Sequence, residues 1–365
     1  MTTQLMASPQ AARIAKFKGE ILQHAVPQEV IGRCCRSQKK SIPKNTSATV
    51  QYRRWLPKGA TSSTPNTWLI DPATHVLGEG ETPLAESITA QDITATLQQY
   101  GVLYRYSDVV ADLYEDDVPG AMVKLTGERM GLLMEMIRYG VLKAGTNIYR
   151  AGGVSARSSI IAKVSANLFR NVARGLSNNL AMKLTNVLSA SPNIATQPIE
   201  AAFVAVCHSD MEADIRSLLS GFVHISEYGI RKPIHENELG SWEQFRFVTS
   251  PHLAPYQSAG GTTAAASTVL AAAGTGGING AGTEAADIYP ILVLAEEAYG
   301  DVMLRGMDSF QAYHRKPGGG QGENSASDDP LGQRGHVGAK FYMTAVRLNE
   351  LHMAVVEAAC SALST

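Results

Sequence analysis

Between Pro119 and Ala144 the apolar residues Met122, Met130, Met134, Ile137 and Val141 recur at three, four or their multiples. That spacing lays one stripe along a helix. Lys124, Glu128, Glu135 and Arg138 fall on the opposite side, and Lys124–Glu128 and Glu135–Arg138 form oppositely charged pairs at helical spacing. Pro119 suits a first turn, Lys143 suits the negative end of the dipole, and Gly145 predicts a left-handed cap. Gly127 and Gly131 each cost about 1 kcal/mol relative to alanine, which points to close approach of another backbone. A second helix is predicted over Ser155–Leu188, where Ile160, Val164, Leu168, Val172, Leu176 and Leu180 recur every four residues, with Pro192 closing it.

Strand-like composition marks Thr49–Leu56, Ile88–Tyr106, Phe203–Cys207, Trp242–Val248, Ile288–Leu294 and the mostly apolar stretch His336–Ala359. Short helices are predicted over Ser107–Glu115 and Asp210–Leu219. Pro57, Gly59, Pro65, Pro72, Gly78, Gly80 and Pro83 separate the first two strands and exclude regular structure between them. The prediction is a long two-stranded extension with a loose tip, and a hairpin of that kind is marginal in water unless a surface supports it. Residues 1–47 read as an arm, with a helical piece near Ala11–His24 followed by basic, turn-rich sequence containing Pro27 and Pro43.

With 365 residues, 44% hydrophobic and 18% charged, the chain is long enough and apolar enough for a folded core of two or three layers. No apolar run reaches the length of a membrane span and the N-terminus shows no signal core, so a cytoplasm-like compartment is expected. Cys34, Cys35, Cys207 and Cys360 have no framework spacing and read as reduced, structural thiols. The net charge of −1 conceals an asymmetry. Residues 1–60 carry eleven Lys or Arg against Glu20 and Glu29, 11 − 2 = +9, which leaves 21 − 31 = −10 for residues 61–365. Such an arm suits an acidic neighbour, above all another copy of the chain, and it would equally suit nucleic acid.

Candidate chemistry is sparse. The glycines Gly274, Gly276, Gly277, Gly280 and Gly282 lack the spacing, the preceding strand and the following Lys-Ser/Thr of a nucleotide loop, and read as a flexible loop within the Ala/Gly-rich segment 254–285. His208, Asp210 and Asp214 crowd after a strand and offer the alternative of a metal-dependent α/β enzyme, although no second ligand pair accompanies them. Asp108, Asp112, Glu115, Asp116 and Asp117 lack the alternating oxygen pattern of a calcium loop. No nucleophile motif is present. No catalytic, cofactor-binding or metal-binding residue is therefore assigned, and no cofactor is expected.

The order of parts then becomes informative, together with the strings IPKNTSATVQYRRW at 42–55, ITAQDITATLQQYG at 88–101, RYGVLKAGTNIY at 138–149, AVCHSDMEADIRSL at 205–218, DPLGQRGHVGAKFY at 329–342 and AVRLNELHMAVVEAA at 345–359. In these strings the chain resembles the major capsid proteins of N-four-like tailed podophages. The resemblance implies an α+β, Hong-Kong-97-like capsid fold. It would place the N-arm at 1–47, the E-loop hairpin at 48–106, a P-domain with the spine helix at 107–194, the A-domain at 195–325 and a closing P-domain segment at 326–365. It further implies a non-enzymatic protein of the virion, built in the host cytoplasm. Its partners would be itself, as hexamers and pentamers around packaged double-stranded DNA, with decoration, scaffolding and portal proteins and no membrane. Lys58 and Asn66 near the hairpin tip do not establish the isopeptide crosslink of some relatives.

Overall fold

The computed structural model describes residues 29–35, 38–56, 72–80, 85, 87–113, 117–184, 201–228, 233–262, 269–271, 285–305, 310–317 and 332–363. The expectations for Ala11–His24, the hairpin tip at 57–71, Pro192 and the glycines of 274–282 lie outside the described residues. The strands are β1 (Gln38–Ile42), β2 (Thr49–Leu56), β3 (Thr89–Thr96), β4 (Gln98–Ser107), β5 (Ile148–Arg150), β6 (Phe203–His208), β7 (Val223–His224), β8 (Glu238–Trp242), β9 (Phe245–Ser250), β10 (Ile288–Leu294), β11 (Tyr299–Leu304), β12 (Phe310–Arg315), β13 (Arg334–Arg347) and β14 (Met353–Ala359). The helices are α1 (Ile31–Cys34), α2 (Asp108–Leu113), α3 (Val118–Lys143), α4 (Ala166–Asn178) and α5 (Glu212–Leu218).

A seven-stranded mixed sheet, ordered β5-β14-β10-β6-β9-β8-β7, forms the larger body. Its central strands are apolar without alternation because both faces are covered. Phe203, Ala205 and Cys207 of β6 join Phe169, Val172 and Leu176 of α4 and Ile215 of α5 on one side. Val204 and Val206 face the other way, with Leu292 and Leu294 of β10, onto Tyr139 and Leu142 of α3. A second sheet has the order β1-β11-β13-β12, with β4 on the remaining edge of β13. Ala339, Phe341 and Met343 of β13 pack against Met130 and Met134 of α3. The long helix thus lies between the two sheets, one stretch of it against each. β2 and β3 stand apart as a two-stranded antiparallel ribbon, in register from Thr49↔Thr96 to Leu56↔Thr89.

The long helix falls where its periodicity placed it, and Asp117 caps it by accepting a hydrogen bond from the Gly120 amide at 3.1 Å. Its polar side differs from expectation. Lys124 and Glu128 are solvent-facing, 4.0 Å apart, whereas Glu135 and Arg138 are buried. Gly145 is not left-handed either; a Cβ there would lie 2.8 Å from Met353 Cε, so the glycine serves close packing against β14. The helix predicted over Ser155–Leu188 is confined to Ala166–Asn178. Ser165 starts it by accepting from the Leu168 amide, and Leu180, at φ +53°, lies beyond its end. Ile160 and Val164 are buried outside the helix, so the four-residue recurrence runs past the helix start into non-helical residues that share the same core.

Three strand expectations are refined. Ile88–Tyr106 breaks at Leu97 into β3, which completes the ribbon, and β4, which joins β13. Trp242–Val248 opens on a tight reversal, with Trp242 paired to Phe245 and Glu243 at φ +46°, and continues as strand β9. The final stretch divides at Asn349, whose side chain accepts from the Leu351 amide, so β13 enters one sheet and β14 the other.

Candidate assembly surfaces

Three parts of the molecule bear on function: the ribbon, the seat of the N-terminal arm, and the acidic residues around His208. The ribbon follows an alternating pattern in which Tyr52, Leu56 and Ala95 are buried, and among the described residues the core it shares with the body lies at its base. There Tyr52 and Ala95 pack with Ile42 and Val302. The Tyr52 hydroxyl donates to the Gln38 carbonyl at 3.0 Å, and burial, with Asp301 adding to it, raises its pKa to about 12. Arg53 and Asp92, opposite one another across the ribbon, form a two-pronged pair at 2.7 and 2.9 Å. Trp55, Val76, Leu77 and Ile88 are each more than half exposed. Trp55, within β2, and Ile88, one residue before β3, put two of these uncovered side chains at the end of the ribbon away from its core.

The arm enters the body rather than leaving it at residue 47. Val30, Ile31, Cys34 and Cys35 are buried against α3 and the larger sheet, and β1 runs parallel to β11 from Gln38↔Gly300 to Ile42↔Leu304. All four cysteines are free and buried. The Ile31 amide donates to Glu135 Oε1 at 2.7 Å. Arg138 reaches Glu29 through Nη1 at 2.9 Å and Asp301 through Nε at 3.2 Å. Burial alone would lower the Arg138 pKa, but Asp301 and Glu29 outweigh it and hold the guanidinium charged. For Glu135 burial is the larger influence and raises the pKa, against the opposing effects of the Ile31 amide and Arg138. One buried cluster therefore fastens the described end of the arm to the long helix and to β11.

Of the alternative metal trio only His208 and Asp210 meet, with His208 Nδ1 3.1 Å from Asp210 Oδ2. His208 Nδ1 accepts from the Asp210 amide at 3.1 Å, and its Nε2 lies 3.1 Å from the Pro251 carbonyl. Asp210 accepts from the Tyr289 hydroxyl at 2.9 Å. Asp214 is buried and turned away, accepting from the amide and hydroxyl of Ser361. Each carboxylate is engaged in fixing a different chain segment, and among the described residues no group of three or more His, Cys, Asp or Glu could hold a metal ion. Asp117 of the acidic run caps α3. A further polar residue stands out in the sequence: Glu357, a lone acid inside an apolar strand. It is fully buried between Arg150, at 3.2 Å, and Arg157.

No family model matches the chain, and no curated protein matches it. Solved structures do. The chain is similar to the capsid of Ralstonia phage GP4, at 11% identity and a TM-score of 0.59 over 100% of both chains. It is also similar to the head structure of Helicobacter pylori bacteriophage KHP40, at 10% identity and a TM-score of 0.55 over 99% of this chain and 95% of that one. The capsid of cyanophage P-SCSP1u aligns at 12% identity and a TM-score of 0.54 over 91% and 89%. At such identities the likeness speaks for the fold, and it spans the ribbon, the long helix and both sheets together. The chain has the α+β fold of these phage capsid structures, with which a Hong-Kong-97-like architecture is consistent.

Proposed function

We propose that this protein is a major capsid protein that assembles with itself into the icosahedral shell of a tailed bacteriophage, around double-stranded DNA. The observation that carries the reading is the ribbon: an extension that, among the described residues, shares a core with the body at its base and carries uncovered apolar side chains, on a capsid fold matched over nearly its whole length. A shell subunit needs complementarity to its own copies and no catalytic group, so His208, Asp210 and Asp214 serving as structural contacts accords with a non-enzymatic role. We assign the N-arm to 1–47, the E-loop to 48–106, the P-domain with the spine helix to 107–194, the A-domain to 195–325 and the closing P-domain segment to 326–365. The described part of that arm, from Glu29, is its seat rather than a free tail.

The site of action in this reading is the virion, with assembly in the host cytoplasm, and hexamers and pentamers as the units. Scaffolding, portal and decoration proteins are the further partners. Among the described residues no helix is long and apolar enough to cross a membrane. The N-four-like assignment rests on the sequence strings quoted above. The test is to express the full chain in bacteria and examine it by sedimentation and electron microscopy. Closed shells of uniform size are expected. A homogeneous monomer over a wide range of salt and protein concentration, with metal-dependent turnover, overturns the reading.

A further inference from the structure

The smaller sheet has a face turned away from α3. Because side chains alternate along a strand, the partners of the inward Tyr100, Val102, Phe310, Ala312, Ala339 and Phe341 point outward. Strand register then fixes what that face presents. His336 is paired with Arg105 on one side and Arg315 on the other, so three basic side chains stand in one row. In the next row Gly338 lies between Leu103 and Tyr313, and the glycine leaves a shallow groove of about 260 Å³. Leu103 is 54% and Tyr313 44% exposed, and Lys340 lies over the Tyr313 ring at 5.3 Å. β4, β12 and β13 contain no Asp or Glu.

Like charges directly opposite one another on a sheet are destabilising. Their effect is visible at His336: burial lowers its pKa, and Arg315 and Arg105 lower it further. Among the described residues no carboxylate pairs with Arg105, Arg315 or Lys340. A basic row beside an uncovered apolar groove costs the isolated subunit stability and fits an acidic partner with apolar side chains.

The chain carries such a partner in α2. Asp108 and Asp112 are one helical turn apart, as are Val109 and Leu113, and α2 buries none of its residues. Val109 is 58% and Leu113 78% exposed. Within one subunit both surfaces stay uncovered, so α2 does not seat on its own sheet. We propose that α2 of one subunit docks on the β4–β13–β12 face of the next. Leu113 and Val109 would enter the groove at Gly338, with Asp108 and Asp112 against Arg105 and Arg315. Two different surfaces meeting in this way form a heterologous contact, which propagates head to tail and closes into rings. The inference rests on the capsid reading and identifies one contact within it.

The test uses the full chain with Arg105→Glu/Arg315→Glu, with Asp108→Arg/Asp112→Arg, and with all four substitutions. Particle yield is read by sedimentation, and folding by circular dichroism. Each pair should lower particle yield about tenfold or more through like-charge contact, and the combination should recover most of it. A control joins Asp108→Arg/Asp112→Arg to Lys124→Glu/Arg129→Glu, which restores net charge at the wrong place and should not rescue. Wild-type yield in either reversed pair, or rescue by the control as good as by the true combination, overturns the contact while leaving the capsid reading intact. If the basic reversal instead abolishes retention of duplex DNA and the acidic reversal has no effect, the face binds nucleic acid and the proposal fails. Absence of particles from the wild type removes the capsid reading itself.

Discussion

Glu135 and Arg138 show where reading residues singly fails. Their spacing suits a solvent-side pair, yet both are buried, and Arg138 bonds to Glu29 and Asp301 instead. Periodicity sees one helix at a time, and the groups that bury this face come from 109 and 163 positions away. Charged residues are buried only when paired, but the sequence does not say which partners the fold will bring. The two pairs on α3 should therefore behave differently. Arg138→Met leaves buried carboxylates without their cation and should cost about 3–5 kcal/mol. Lys124→Met removes a surface pair worth about 0–1 kcal/mol. Denaturant midpoints of the unassembled chain test the contrast, and equal losses would show that the Arg138 cluster does not fasten the arm.

Elements were legible where one periodicity governed a whole segment. The long helix follows its expected bounds within a residue at each end, because its stripe, proline and basic C-terminal turn agree. Agreement failed where residues of one core belong to different conformations, as at Ile160 and Val164, or where a tight reversal uses Glu243 and Gln244 instead of a turn pair such as Asn-Gly. The ribbon was legible as an extension, but the base that positions it was not. At Gly300 an added Cβ would lie 2.8 Å from the Tyr52 hydroxyl oxygen and 3.1 Å from the Gln38 carbonyl. Gly300→Ala should therefore displace Tyr52, at about 1–3 kcal/mol, and loosen the ribbon before the larger sheet. Limited proteolysis with mass spectrometry should find new cleavage between 49 and 96, with assembly reduced. Unchanged cleavage would mean that the base tolerates the methyl group.

For the molecule as a whole, the order of parts and the +9/−10 division of charge were readable, because both are additive along the chain. The sequence placed His208, Asp210 and Asp214 close together but did not show that His208 and Asp210 meet while Asp214 turns to Ser361. The limit of the arm was not readable either, since Val30–Cys35 and β1 are buried or paired through contacts with distant residues. Two truncations should separate its parts. Removing 1–28 keeps the buried seat, so the subunit should fold while assembly weakens in a salt-dependent way. Removing 1–47 takes Ile31, Cys34 and Ile42 out of their cores and should destabilise the body, as thermal unfolding will show. Equal melting temperatures for the two would refute the division.

Acid should weaken the same molecule through its histidines. His235, His314, His336 and His352 all have their pKa lowered, with burial the largest cause in each. A base with a depressed folded-state pKa binds fewer protons in the native than in the unfolded chain. Its contribution is present above the unfolded value of about 6.5 and is lost as the pH falls through the folded value. Glu135, with a raised pKa, acts in the opposite direction: its contribution is full below the ordinary carboxylate range and is lost as the pH rises through the folded value. It thus opposes the histidines as the pH falls, one group against four. The melting temperature of the unassembled chain should therefore fall as the pH is lowered from 7.5 to 5.5. His352→Gln should flatten part of that fall, because burial depresses the pKa of this ring, whose Nδ1 lies 3.2 Å from the Glu296 carbonyl. A melting temperature independent of pH over this interval would show that the four rings titrate alike in both states.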